Sequence, residues 1–170
     1  MTRIRSVGAP VAEPPAWLRT ATRWLAETPD LWWPKVRRDT GERWHVPLHV
    51  DPAYEACLIG WPPGRGLDLH DHGDSCGTIY VVEGTLFETY TSLAAPDGAR
   101  ALRHRKLTAG SLTAFGPDHV HDVTSHGPGQ ALSIHLYTPR LQSMTFYDHV
   151  RGRGLTAVRT DIAVPETVTV

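Results

Sequence analysis

The sequence predicts an all-β-dominated domain, a β-sandwich or small barrel, with an N-terminal helical segment. Three observations predict it. From Pro34 onward, short runs rich in β-branched and aromatic residues alternate with clusters of Gly, Pro and Asp. The chain carries 15 glycines and 14 prolines, a composition suited to many tight turns. A helical period of apolar residues occurs once, near the start. The 170 residues suit one compact domain. A domain of that size buries roughly 70% of its unfolded surface, so it needs neither disulfides nor a structural metal to fold.

Residues 1–12 read as a flexible leader. Residues 13–150 read as a single domain that includes the helix, and 151–170 as a C-terminal tail or edge strand. Over residues 14–28, Trp17, Leu18, Ala21, Trp24 and Leu25 share one helical face. Pro14 and Pro15 open that segment and Pro29 stops it. The tryptophan stripe is expected to pack on a sheet. Strands are expected at 55–61, 78–82, 85–91, 101–107, 111–115, 122–125, 131–137 and 143–147. The breaks between them include Pro62-Pro63-Gly64, Glu83-Gly84, Pro96-Asp97-Gly98, Ala109-Gly110 and Gly127-Pro128-Gly129. Six to eight short strands at this spacing point to a sandwich or barrel and not to alternating βαβ units.

Composition also excludes classes of function. The formal net charge is −1, which speaks against a broad nucleic-acid or anionic-membrane surface. No apolar run approaches the ~20 residues of a membrane span. No apolar signal core follows Arg3 and Arg5. Cys57 and Cys76 cannot build a disulfide framework. A cytoplasmic protein, monomeric or weakly oligomeric, is the expectation.

Ten histidines carry the functional signal. In Gly64-Arg-Gly-Leu-Asp-Leu-His70-Asp-His72, an extended chain places His70 and His72 on one face, a two-point grip for a metal. A second group, His119-Val-His121, follows the strand that Gly110 opens. A lone His-x-His is weak evidence; two such groups on separate strands that a barrel could close together are stronger.

These spacings resemble the cupin superfamily, whose jelly-roll barrel the resemblance implies. Gly64, His70, His72, Gly77 and Gly84 fall on its first motif, with Gly77 where a ligand Glu usually stands. Gly110, Gly116, Asp118, His121 and Ser125 match the spacing of its second. His121 is the matching ligand and His119 its rival. Three imidazoles without a carboxylate leave the metal's charge uncompensated, which favours an anionic thiolate. Imidazole suits iron and zinc alike.

Ser133-Ile-His135-Leu-Tyr137 resembles, more narrowly, the cysteine dioxygenase type I family, as do Trp61 and the His70–Ser75 block. The likeness runs over about residues 55–148. It implies Fe(II) held by His70, His72 and His121. It implies a catalytic group in which Ser133 orients His135 and His135 orients the Tyr137 hydroxyl beside a small thiol and O2. Cysteine is the implied substrate. The alternatives are 3-mercaptopropionate or another thiol, a non-catalytic metal-binding cupin, and a zinc- or manganese-dependent isomerase or hydrolase.

Two departures stand out. Animal members link a Cys to the Tyr; Gly77 occupies that position here. Cys76 would face the other way in a strand, so no crosslink is expected and Cys76 should be a buried small hydrophobe. Family members also hold the substrate carboxylate with an Arg. Ungapped alignment back from Trp61 puts His45 at a neighbouring Tyr position and Pro47 at that Arg position. Arg43 fills the role only if the strand is shifted; Arg65, Arg103 and Arg140 are expected at the surface. The substrate-binding candidates are therefore Arg43, His45 and Trp61, with His49 sharing the strand face of His45.

Overall fold

The computed structural model describes residues 13–95, 101–150 and 154–162. The expected leader and the Pro96-Asp97-Gly98 break lie outside them. One α-helix, α1 (Ala16–Ala26), and two short 3-10 turns precede eleven strands among the described residues. These are β1 (Trp44–Val50), β2 (Glu55–Trp61), β3 (Gly66–His70), β4 (Cys76–Glu83), β5 (Thr85–Ser92), β6 (Arg103–Thr108), β7 (Leu112–Phe115), β8 (His119–Ser125), β9 (Ala131–Thr138), β10 (Ser143–Val150) and β11 (Gly154–Ile162). They form two antiparallel sheets, β1-β2-β9-β4-β7 and β11-β10-β3-β8-β5-β6. β11 pairs along β10 in the stretch expected as a tail or edge strand. No helix among the described residues is long and apolar enough to cross a membrane.

The first sheet is covered on both faces, which explains why β9 is buried almost end to end. Leu132, Ile134 and Leu136 join Leu18, Leu25 and Trp44 in a core beneath α1. The alternate residues of β9 face the second sheet, where Ala131 and Tyr137 pack with Ile59, Trp61, Ile79 and Phe115. Burying Leu18 and Leu25 contributes ~1.5–3 kcal/mol each. A buried hydroxyl pair, Thr22 to Thr78 at 2.6 Å, ties α1 to β4.

The helix corrects one expectation. Leu18 and Leu25 pack on the sheet, but Trp17 and Trp24 stay 44% and 61% exposed. The apolar stripe is wider than the contact, and the smaller leucines take the centre of it. The strand at 44–50 was not among those expected, because Pro47, His45 and His49 mask its apolar signal. It is an edge strand, where Pro is tolerated. Gly84 turns the chain from the first sheet into the second with φ +77°, and a Cβ there would meet Ala131 Cα at 2.9 Å.

Candidate metal centre

The end of β3 pairs His70 directly opposite His121 on β8. His72, just beyond β3, completes the group. The ring centroids lie 4.8 Å apart for His70–His72, 4.7 Å for His70–His121 and 5.0 Å for His72–His121. One nitrogen from each lies within 4.8 Å of the others. All three side chains are buried, at 1–3% exposure. Burial and the neighbouring imidazoles hold His70 and His72 well below the usual histidine range, so both rings are neutral and able to coordinate.

The outer nitrogens are tied down where a metal ligand requires it. His70 Nδ1–H donates to the Asp68 carbonyl at 2.6 Å, and His121 Nδ1–H donates to Glu88 at 2.7 Å. Each ring thus keeps Nε2 for a metal. Among the described residues His72 finds a hydrogen-bond partner for neither ring nitrogen, although both are buried. Such an orphaned polar pair is costly unless something else binds it. The donor set fits a metal ion held by three imidazoles. Asp71, between the two histidines, accepts from the Gly73 and Thr145 amides at 3.0 and 3.1 Å and from Tyr147 at 2.7 Å. Those bonds anchor the His-x-His turn to β10.

His119 does not enter the cluster. Its Nε2–H donates to Glu88 at 2.9 Å and its ring stacks on Phe115 at 4.9 Å. Glu88, His119 and His121 also lie close enough to hold an ion, but they bond to one another and Arg105 bonds to the same carboxylate. Burial alone would raise the Glu88 carboxyl; the bonds from His119, His121 and Arg105 outweigh it and hold the group ionised far below the usual range. Sequence reading missed Glu88. The available signal was a charged residue at the inward alternate position after buried Leu86.

Above the cluster, Tyr137 stacks on His72 with centroids 5.1 Å apart and a 27° interplanar angle. Burial raises its hydroxyl well above the ordinary tyrosine value, so it stays protonated. A chain of bonds leads to it along the inner face of β9. Trp61 Nε1–H donates to Ser133 Oγ at 2.8 Å. Ser133 Oγ lies 2.8 Å from His135 Nε2, and His135 Nδ1 lies 3.0 Å from the Tyr137 hydroxyl. Burial lowers His135 to about 3, so the ring carries one proton. The indole can only donate. Assigning Ser133 as donor to Nε2 places the His135 proton on Nδ1, from which it donates to Tyr137. The phenol hydrogen is then left to donate outward.

Arg43, immediately before β1, sits with its guanidinium 4.9 Å from the Trp61 ring. Its Nε is buried with no hydrogen-bond partner among the described residues. Burial lowers its pKa. Pro47, the position reached by ungapped alignment, is exposed on β1. His45 is exposed opposite Ile59. A bulge between Pro47 and His49 breaks the shared strand face, and His49 instead stacks on Tyr54 at 4.3 Å and bonds Asp51 at 2.7 Å. Arg65 bonds Gly41 and Glu42 at the surface, Arg103 is exposed, and Arg140 pairs with Glu55 at 3.4 Å.

Gly77 lies opposite Tyr137 across β4 and β9. A Cβ there would meet Phe115 Cζ at 2.3 Å and Tyr137 Cδ1 at 3.1 Å. Phe115 fills the space a side chain at 77 would need. Cys76 is 7% exposed on the opposite face, in the core under α1. Cys57 faces inward across from His135, and burial pushes its thiol up to about 12. Both cysteines are free.

The two facing sheets and the three clustered histidines define a cupin with a candidate metal centre. Three solved structures share the fold: the TT1209 protein of Thermus thermophilus, the cupin domain of Schizosaccharomyces pombe Cnp3, and a recombinant oxalate oxidase in complex with glycolate. Their TM-scores are 0.52, 0.51 and 0.54, at 18%, 9% and 14% identity. They cover 62%, 62% and 63% of this chain, and 90%, 66% and 56% of their own. The family model for cysteine dioxygenase type I matches residues 36–150, and the chain belongs to that family. The cysteine dioxygenase type 1 of Danio rerio is 29% identical over 115 residues, which is 63% of this chain and 56% of the zebrafish protein. The chain therefore matches about half the length of that curated relative.

Proposed function

We propose that this protein is a mononuclear non-heme iron thiol dioxygenase. It converts a small thiol and O2 to the sulfinic acid, R–SH + O2 → R–SO2H. The observation that carries this reading is the pairing of three buried imidazoles with a phenol stacked on one of them and held by the Trp61–Ser133–His135 chain. A purely binding module has no need of that chain. Iron held by His70, His72 and His121 would supply the redox chemistry that brings O2 to a thiolate.

The protein's own groups then do the positioning. Tyr137 donates a hydrogen bond toward the reacting sulfur and oxygen. His135 and Ser133 keep that hydrogen aimed. Arg43 takes the substrate carboxylate through a guanidinium whose Nε has no partner among the described residues. The Trp61 ring packs against the Arg43 guanidinium. The Cys57 thiol stays protonated and does not compete as a thiolate. Cysteine is the substrate that family membership favours, with 3-mercaptopropionate as the close variant, since Arg43 reads only the carboxylate both share. The free cysteines suit a cytoplasmic setting.

Oxygen uptake by iron-loaded protein with cysteine and 3-mercaptopropionate tests the reading. Thiol-dependent uptake with sulfinic acid as product is expected, and its absence refutes it. Tyr137→Phe is expected to slow turnover by ~10- to 100-fold with unchanged metal content. A non-catalytic metal-binding cupin would show metal in both forms and turnover in neither.

A further inference from the structure

Glu88 is a carboxylate bonded directly to one of the three clustered imidazoles. Its side chain is 0% exposed, and three donors converge on it. His121 Nδ1 donates at 2.7 Å, His119 Nε2 at 2.9 Å, and Arg105 Nε also donates. The two donors other than His121 are themselves braced by rings. Arg105 lies over Tyr90 at 4.6 Å, and His119 stacks on Phe115 at 4.9 Å. A buried charge is expensive, and a strand core is more cheaply filled by an apolar residue at the next inward position after Leu86. The inner face offers no alternative place for a carboxylate at residue 77, where Phe115 occupies the space.

We propose that Glu88 is the positioning residue that sets the donor strength of the metal centre through His121. Its carboxylate draws the Nδ1 hydrogen of His121, fixes that ring with Nε2 toward His70 and His72, and raises the electron density Nε2 offers. Negative charge thus reaches the centre through an imidazole instead of a direct carboxylate ligand. Arg105 and His119 share the carboxylate and limit how strongly it acts on His121. The inference rests on reading His70, His72 and His121 as a metal centre.

Two substitutions in this network are expected to act in opposite directions. Glu88→Gln keeps the shape and weakens the acceptor. It is expected to bind Zn(II) about 10- to 100-fold more weakly in chelator competition and to shift the midpoint potential of the iron-loaded protein upward. Arg105→Gln withdraws the competing cation. It is expected to shift the potential downward, with Zn(II) affinity equal or tighter. Mere loss of structure would move both variants the same way. Shifts of the same sign, or none, overturn the inference while leaving the metal centre intact. If Glu88→Gln does not fold, an upward or absent shift in Arg105→Gln overturns it alone. If the unaltered protein binds neither Zn(II) nor iron, the metal-centre reading fails, and this inference with it.

Discussion

Replacing Arg43 with Met separates carboxylate recognition from everything else the pocket does. Met keeps an unbranched stem against Trp61 and removes the guanidinium, which lies 4.9 Å from that ring. A hydrogen bond between charged groups is worth ~1.5–3 kcal/mol. At 1.4 kcal/mol per tenfold, kcat/KM for a thiol carboxylate should fall by about 10- to 150-fold. Cysteamine is a thiol amine of similar size with no carboxylate, so whatever turnover it shows should not change. Oxygen uptake with cysteine, 3-mercaptopropionate and cysteamine measures this directly. An equal loss for all three, or less than a threefold loss for the carboxylates, refutes the assignment. Stability supplies an independent check. Arg43 Nε is buried without a partner among the described residues, a state that costs ~1–3 kcal/mol. The substitution also removes the cation–π interaction with Trp61, worth ~0.5–2 kcal/mol. The two terms nearly offset, so the metal-free variant should melt close to or above the parent, and a large drop in Tm would mean that Arg43 is a structural residue.

Gly77→Ala should destabilise the fold by ~1–3 kcal/mol, because the added methyl runs into Phe115 at 2.3 Å in a packed interior; thermal melts check this, and an unchanged Tm would mean the wall of the pocket yields. Acid sensitivity follows from His135, whose folded value of about 3 lies below the ~6.5 of an unfolded chain. Within that window the unfolded chain binds more protons, so the stability this ring provides is complete above pH ~6.5 and is lost as pH falls toward 3. The expected slope is ~1.4 kcal/mol per pH unit for this one ring. Melts of metal-free protein from pH 7 to 4 should show it, and His135→Gln should be shallower by about one proton; identical slopes would contradict the burial argument.

Features set by a period of two were legible in the sequence. Ser133, His135 and Tyr137 must share a strand face, as the alternation of β9 requires; His72 lies past the end of β3 and is placed instead by the turn that Asp71 anchors to β10. The fold class was legible too, from turn residues and short β-rich runs, because those are local preferences of the chain. What depended on neighbours was not. His119 and His121 have the same spacing and the same face; only the buried Glu88 on the adjacent strand draws one aside and orients the other. Trp17 and Trp24 fit the helical stripe, yet the leucines fill the contact with the sheet. Arg43 or Pro47 at the pocket was a question of pairing between β1 and β2, with a bulge inside it. Local sequence sets which residues can share a face. Which faces meet, and which of two equivalent side chains finds a partner, is set by non-local strand pairing and by the cost of burying charge unpaired.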